Sequence, residues 1–123
     1  MPFRQDAAAV YAALDVVVTG GEAGIGRQAL EAAAAGRPIV AAARHPVPDL
    51  VVEGETGHLV TPGDSAALAE CLHALLAAPA RRASMGAAAR TLAEQRFDPA
   101  ANAARIMAIY DQLLARGEAA TTR

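Results

Sequence analysis

The chain has 123 residues, which suits one domain with a real core and is too short for two. Its formal charge is −2, and its eleven cationic residues, all arginine, form no basic cluster, which argues against a nucleic-acid partner. Hydrophobic residues make up 54%, but 34 residues are alanine and only two Phe and two Tyr occur. The core must therefore come from thin, closely packed helices, with Leu, Ile and Val supplying most of the buried area. A single cysteine, Cys71, excludes an internal disulfide. No stretch approaches the ~20 apolar residues of a membrane helix, and Met1-Pro2-Phe3-Arg4-Gln5-Asp6 lacks the order of a signal peptide. A soluble, cytoplasmic protein is expected.

In chain order, Asp6 is a good N-cap for an alanine-rich helix over Ala7 to Leu14. The run Asp15-Val16-Val17-Val18-Thr19, ended by Gly20-Gly21, predicts a strand buried on both faces. Arg27 to Ala35 reads as a helix stopped by Gly36, and Pro38 to Ala42 as a second buried strand. Pro48 at a first helical position predicts a short helix to Glu53, and Gly57 to Val60 a third strand. Asp64 then caps a helix whose Leu68, Cys71, Leu72, Leu75 and Leu76 form one apolar stripe. Pro79 opens a further helix with Met85, Ala88, Ala89 and Leu92. Asp98-Pro99 starts the last, with Ile106, Ile109, Tyr110, Leu113 and Leu114 on one face. Residues 117–123 are expected to be a disordered tail.

Strands alternating with helices and then giving way to helices indicate an α/β class: a partial Rossmann-like domain with a short parallel sheet of about three strands flanked by helices. Three strands make a small sheet whose edges need cover. This suggests part of a larger domain.

The segment Thr19-Gly20-Gly21-Glu22-Ala23-Gly24-Ile25-Gly26-Arg27 joins a strand to a helix. A helix start has free N–H groups and a partial positive charge, and glycines let a ligand approach the backbone closely. Strand, glycine turn and helix together predict a phosphate site at the carboxyl end of the sheet. The competing reading is a tight turn with no ligand.

Two families resemble this turn. Thr19-Gly20, followed by Gly24-Ile25-Gly26, is similar to the Thr-Gly-x-x-x-Gly-Ile-Gly fingerprint of short-chain dehydrogenases, in which Arg44 would suit an NADP ribose phosphate. That family also uses a Tyr-x-x-x-Lys pair. Here there is no lysine, and Tyr11 and Tyr110 are followed at the fourth place by Asp15 and Leu114. The second resemblance runs from about Phe3 to Arg116. Tyr11-Ala12-Ala13-Leu14-Asp15-Val16-Val17-Val18, then Leu30-Glu31-Ala32-Ala33-Ala34-Ala35-Gly36-Arg37-Pro38-Ile39-Val40-Ala41, and Gly54-Glu55-Thr56-Gly57-His58-Leu59-Val60-Thr61-Pro62-Gly63-Asp64 resemble segments of glycosyltransferase family 4. Met85-Gly86, Arg90, Arg96-Phe97 and Tyr110 follow in that family's order. The chain thus resembles the C-terminal, donor-binding part of a GT-B glycosyltransferase over residues 1–116.

The resemblance implies that Glu31 accepts hydrogen bonds from the two ribose hydroxyls of a nucleotide diphosphate sugar; a carboxylate suits this because it only accepts. It implies that backbone N–H groups of Gly24, Ile25, Gly26, Arg27 and Gln28 face the diphosphate, with the Arg27 charge beside it. A first acidic residue is usual eight positions before Glu31, where this chain has Ala23. Either Glu22, one place earlier, reaches the sugar as the catalytic acidic residue, or that residue is lost. Asp49 takes the place of a usual Glu, and His45-Pro46 that of a glycine pair.

Cys71 reads as core, His45, His58 and His73 are too scattered for a metal, and no metal or cofactor is expected. A GT-B enzyme also needs an N-terminal acceptor domain and the early part of the donor domain. The chain is therefore expected to be a fragment, or a subunit completed by another chain, and inactive alone. The alternatives are a non-catalytic nucleotide-binding or interaction module and an NADP-binding dehydrogenase-like fragment.

Overall fold

A computed structural model of the chain describes residues 6–20, 25–43 and 49–121, with backbone alone at Ile25 and over 117–121. The described elements are α1 (Ala7–Ala12), β1 (Val17–Thr19), α2 (Ile25–Ala34), β2 (Ile39–Ala42), β3 (Gly57–Val60), α3 (Ser65–Ala77), α4 (Pro79–Phe97) and α5 (Pro99–Thr121). The strands form a parallel sheet in the order β1-β2-β3, with Val17 opposite Ile39 and Ile39 opposite Gly57. The α/β class and three-strand parallel sheet predicted above are thus present.

Side chains alternate across the sheet. Val17, Ile39 and Ala41 meet Ala29, Ala32 and Ala33 of α2, Ala89 and Ala93 of α4, and Leu50 and Val51 of the β2–β3 connection. On the other face Val40 and Val60 meet Leu75 and Met85. The alanines make the thin helices that the composition demands. Their approach is closest at Gly86, where an added Cβ would stand 2.0 Å from the Gly36 carbonyl oxygen. Gly36 ends α2 at φ +67°, and two bonds close the helix: Gly36 N–H to Ala33 O and Arg37 N–H to Ala32 O, both 2.9 Å. This is a Schellman arrangement, which a left-handed glycine allows without strain.

The Asp64 carboxylate accepts the Ala67 N–H at 2.9 Å and so starts α3 as predicted. Four of its five stripe residues face the core: Leu75 is buried and Leu68, Cys71 and Leu72 pack on the core, but Leu76 is exposed. At its end, Arg82 Nη1 donates to the carbonyls of Leu75 and Leu76 at 2.9 and 2.7 Å, satisfying acceptors the helix leaves open.

Two expectations need correction. β1 is not buried on both faces: Val17 and Thr19 are buried, but Val18 is 49% exposed. Among the described elements, α3 packs on β2 and β3 and leaves that side of β1 open. Of the described part of the segment to Glu53, Asp49 is in 3-10 helical conformation, but no helix continues from Leu50 to Glu53. Leu50 and Val51 are both buried, and the Thr56 hydroxyl donates to Leu50 O at 3.0 Å and accepts Val52 N–H at 2.7 Å, which holds the chain as a loop. The apolar face of α5, from Ile106 to Leu114, is exposed throughout. The α5 backbone stays helical past Gly117 to Thr121.

Candidate functional site at the start of the second helix

Parallel strands with right-handed crossovers bring their carboxyl ends and the next helix starts to one edge. Here β1 ends at Thr19-Gly20 and α2 begins at Ile25 on that edge. The first turn of α2 carries no acidic side chain to neutralise its free N–H groups. Gly26 takes no positive φ, and an added Cβ there, or at Gly20, would meet nothing within 4 Å. Among the described residues, neither packing nor a positive φ calls for these two glycines.

Of the predicted site residues, Glu22 and Gly24 lie outside the described residues, as do Arg44, His45 and Pro46, and Ile25 is described by its backbone only. Gly26, Arg27, Gln28 and Glu31 all stand on α2. Arg27 Nε donates to Glu31 Oε1 at 2.9 Å, one helical turn apart. The two differ in exposure: the Arg27 side chain is 83% exposed and Glu31 30%. Glu31 holds the Arg27 guanidinium more firmly protonated by that hydrogen bond and by its charge.

Tyr11, near the end of α1, is partly buried and packs against the core that includes Val17 and the α2 alanines. Burial first, then the hydrogen bond and charge of Glu31, push the phenol pKa up.

A cavity of about 300 Å³ opens at the same edge, on the α3 side of the sheet, lined by Val18, Thr19, Gly20, Ala42, Gly63 and Ser65 among others. By strand alternation the Thr19 side chain lies on the opposite face, with Val17; it is 2% exposed, and its Oγ1 has no hydrogen-bond partner among the described residues. Such a buried group costs stability unless something satisfies it. On the opposite side of the sheet, a cleft of about 340 Å³ joins Gly26, Arg27 and Leu30 to Asp49, Leu50 and Phe97. Asp49 is placed there by Arg96, whose Nη1 donates to its carbonyl at 3.1 Å. Among the described residues no group of three His, Cys, Asp or Glu side chains could hold a metal. No described helix is long and apolar enough to cross a membrane.

A parallel sheet flanked by helices, with an open helix start at its carboxyl edge, defines a Rossmann-like half domain of the GT-B type. The sequence matches the family of "Glycosyl transferases group 1" over residues 1–78, and the chain belongs to that family. It is 41% identical over 107 residues to a D-inositol 3-phosphate glycosyltransferase of Corynebacterium aurimucosum, covering 86% of this chain and 25% of the relative. The chain thus spans about a quarter of the length of the curated relatives it matches. Among solved structures, the Anabaena protein HepE in complex with UDP-glucose superposes with a TM-score of 0.83 at 32% identity, covering 91% of this chain and 31% of HepE. The C-terminal domain of a glycosyl transferase group 1 family protein, LpcC of Francisella tularensis, superposes with a TM-score of 0.70 at 28% identity. It covers 80% of this chain, which in turn spans 53% of that domain.

Proposed function

We propose that the chain is the donor-nucleotide part of a glycosyltransferase and binds the nucleotide diphosphate of an activated sugar. The observation that carries this is the position of Glu31. It stands on α2 five residues past Gly26, a rise of about 7.5 Å, comparable with the reach from a ribose to its diphosphate. Glu31 accepts the two ribose hydroxyls. The N–H groups of Gly24, Ile25, Gly26, Arg27 and Gln28 receive the diphosphate, and Arg27 adds a positive charge beside it. The charge that develops on the departing nucleotide is what such donors stabilise in glycosyl transfer. The UDP-glucose complex of HepE supports a sugar nucleotide as the ligand class.

Glu22 is the candidate for the acidic residue that touches the donor sugar. Transfer requires an acceptor domain and the rest of the donor domain, from the same or another polypeptide, so the 123-residue chain is inactive alone. The span of 53% of the LpcC domain supports that reading. A cytoplasmic place of action fits the lone, unpaired Cys71.

Calorimetric titration of the chain with UDP, GDP and ADP tests the site. At least one binds, and Glu31→Ala weakens it by ~1–3 kcal/mol through loss of charge-assisted hydrogen bonds. No binding of any of the three at millimolar concentration sinks the proposal and favours a non-catalytic interaction module. Glu22→Ala weakens a sugar nucleotide but not the free nucleoside diphosphate if Glu22 reaches the sugar.

A further inference from the structure

We propose that the amino edge of the sheet carries a second anion site, in which Arg37 and Arg82 receive a small oxyanion, a phosphate or a carboxylate. It lies at the end of the strands opposite the glycine turn and does not depend on the donor-site reading.

The chain converges there for a topological reason. Parallel strands joined by right-handed crossovers all start at one edge, so the residues before β1 and β2 meet the end of α2 and the start of α4. A cavity of about 150 Å³ opens between them, lined by Asp15, Arg37, Pro38, Pro79 and Arg82 among others.

Its charge is unbalanced. A guanidinium stays ionised in a protein, and Asp15 is the only acidic side chain in the lining. That carboxylate stands 3.5 Å from Arg82 Nη2 and is 68% exposed, whereas the Arg82 side chain is 18% exposed. One solvated acid thus faces two sheltered cations and offsets only part of their charge.

Both guanidiniums are held in place before any ligand arrives. Arg37 Nη2 donates to Ala12 O at the end of α1, and Arg82 Nη1 donates to Leu75 O and Leu76 O at the end of α3. These carbonyls fix the two forks but leave Arg37 Nε buried with no hydrogen-bond partner among the described residues. Such a donor costs stability until an acceptor meets it. The start of α4 adds to the same field. Its cap, Ala78, makes no side-chain hydrogen bond, and its first turn holds no acidic residue to offset the partial positive charge of the helix start. Planar forks match the paired oxygens of a carboxylate or a phosphate. The volume is well below that of a pocket for a drug-sized molecule, so the oxyanion itself is what enters.

The alternative is that Arg37 and Arg82 only cap α1 and α3. Thermal melting of the full chain separates the two, in buffers of matched ionic strength that contain chloride, inorganic phosphate or acetate. Phosphate raises the melting temperature over chloride by roughly 2–4 °C. Arg37→Gln, compared with its own chloride baseline, loses that rise. Arg27→Gln keeps it, which separates this cavity from the glycine turn. Asp15→Asn removes the competing carboxylate and tightens phosphate about fivefold, the effect of one unit charge about 4 Å away in water. Should Arg37→Gln fail to fold, Asp15→Asn carries the test.

A rise with acetate as well assigns the site to oxyanions in general, and a rise with phosphate alone to phosphoryl groups. No rise over chloride overturns the proposal. So does a rise that survives Arg37→Gln, one that Arg27→Gln reduces equally, or a phosphate affinity that Asp15→Asn leaves unchanged.

Discussion

Gly26 is the position where stability and ligand binding should move in opposite directions. It is the second residue of α2, its φ is not positive, and a Cβ would find open space. Glycine within a helix costs roughly 0.5–1 kcal/mol relative to alanine, and a first-turn position recovers the lower part of that range. Gly26→Ala should therefore stabilise the chain by about 0.5 kcal/mol, seen as a melting temperature higher by roughly 2–4 °C. If a diphosphate rests on the first-turn N–H groups, the same methyl stands where its oxygens approach. Affinity for the nucleoside diphosphate should then fall at least about tenfold, or ~1.4 kcal/mol. Thermal melting and calorimetric titration read the two effects on the same protein. Gly86→Ala is the contrast: its Cβ would lie 2.0 Å from Gly36 O, so α4 must move off α2 at a cost of about 1–3 kcal/mol or more. A melting temperature that falls for Gly26→Ala refutes the steric reading of that glycine. A rise with unchanged nucleotide affinity leaves the glycine turn as nothing more than a turn.

Other substitutions probe the frame that holds the site. Leu75→Ala empties a fully buried position between α3 and the sheet and should cost about 2–5 kcal/mol in denaturant unfolding. Leu113→Ala on the exposed face of α5 should stay within about 0.5 kcal/mol of wild type; a loss as large as that of Leu75 would mean that α5 is covered in solution. Thr56→Val leaves the Leu50 carbonyl and Val52 N–H without their partner and should destabilise by about 1–3 kcal/mol, with the Thr56→Ser change nearer neutral. The Glu53 carboxyl is pushed up by burial. The Leu59 N–H, at 2.6 Å, and His58 outweigh that effect and bring its pKa below its ordinary 4.5. A depressed folded pKa adds stability that is present above 4.5 and disappears as pH falls through the folded value. Glu53→Gln should thus flatten the acid limb of a stability-against-pH curve and leave its slope near neutrality unchanged; an identical acid limb would remove Glu53 from the account.

Much of this architecture follows from local signals. The alanine content foretold helices that pack through methyl groups, and Ala29, Ala32, Ala33, Ala89 and Ala93 do so. Asp64 and Gly36 marked helix ends because capping is decided within a few residues. The misreadings come from contacts that are remote in the chain. A run of valines looks the same whether its second face meets a helix or lies open, so the exposure of Val18 could not be read from β1 itself. Pro48 gives a helix-start signal, and Asp49 is in 3-10 conformation; the helix does not continue because the Thr56 hydroxyl, six residues beyond Leu50, takes up Leu50 O and Val52 N–H. The spacing of Ile106, Ile109, Tyr110, Leu113 and Leu114 specifies a stripe without specifying a partner. Glu31 was legible from its family segment and its pairing with Arg27 from the i, i+4 spacing, whereas the packing of Tyr11 needed the placement of α1 beside α2.

The glycines separate what the fold requires from what it leaves unexplained. Gly57 and Gly86 have neighbouring backbone where a Cβ would go, and Gly36, Gly54 and Gly63 take positive φ. Gly20 and Gly26, which flank the turn, satisfy neither condition. By composition the turn could serve any family that needs a bend after a buried strand. The steric contrast narrows this: Gly26 stands in a helix that alanine would stabilise, at an N-terminus whose first turn brings no acidic side chain. Beneath it, the buried Thr19 hydroxyl has no partner among the described residues. Each of these costs the folded chain a little stability, and all lie at the one edge where Glu31 also stands. On the proposed reading, a ligand carrying negative charge and hydrogen-bonding groups would account for the three together.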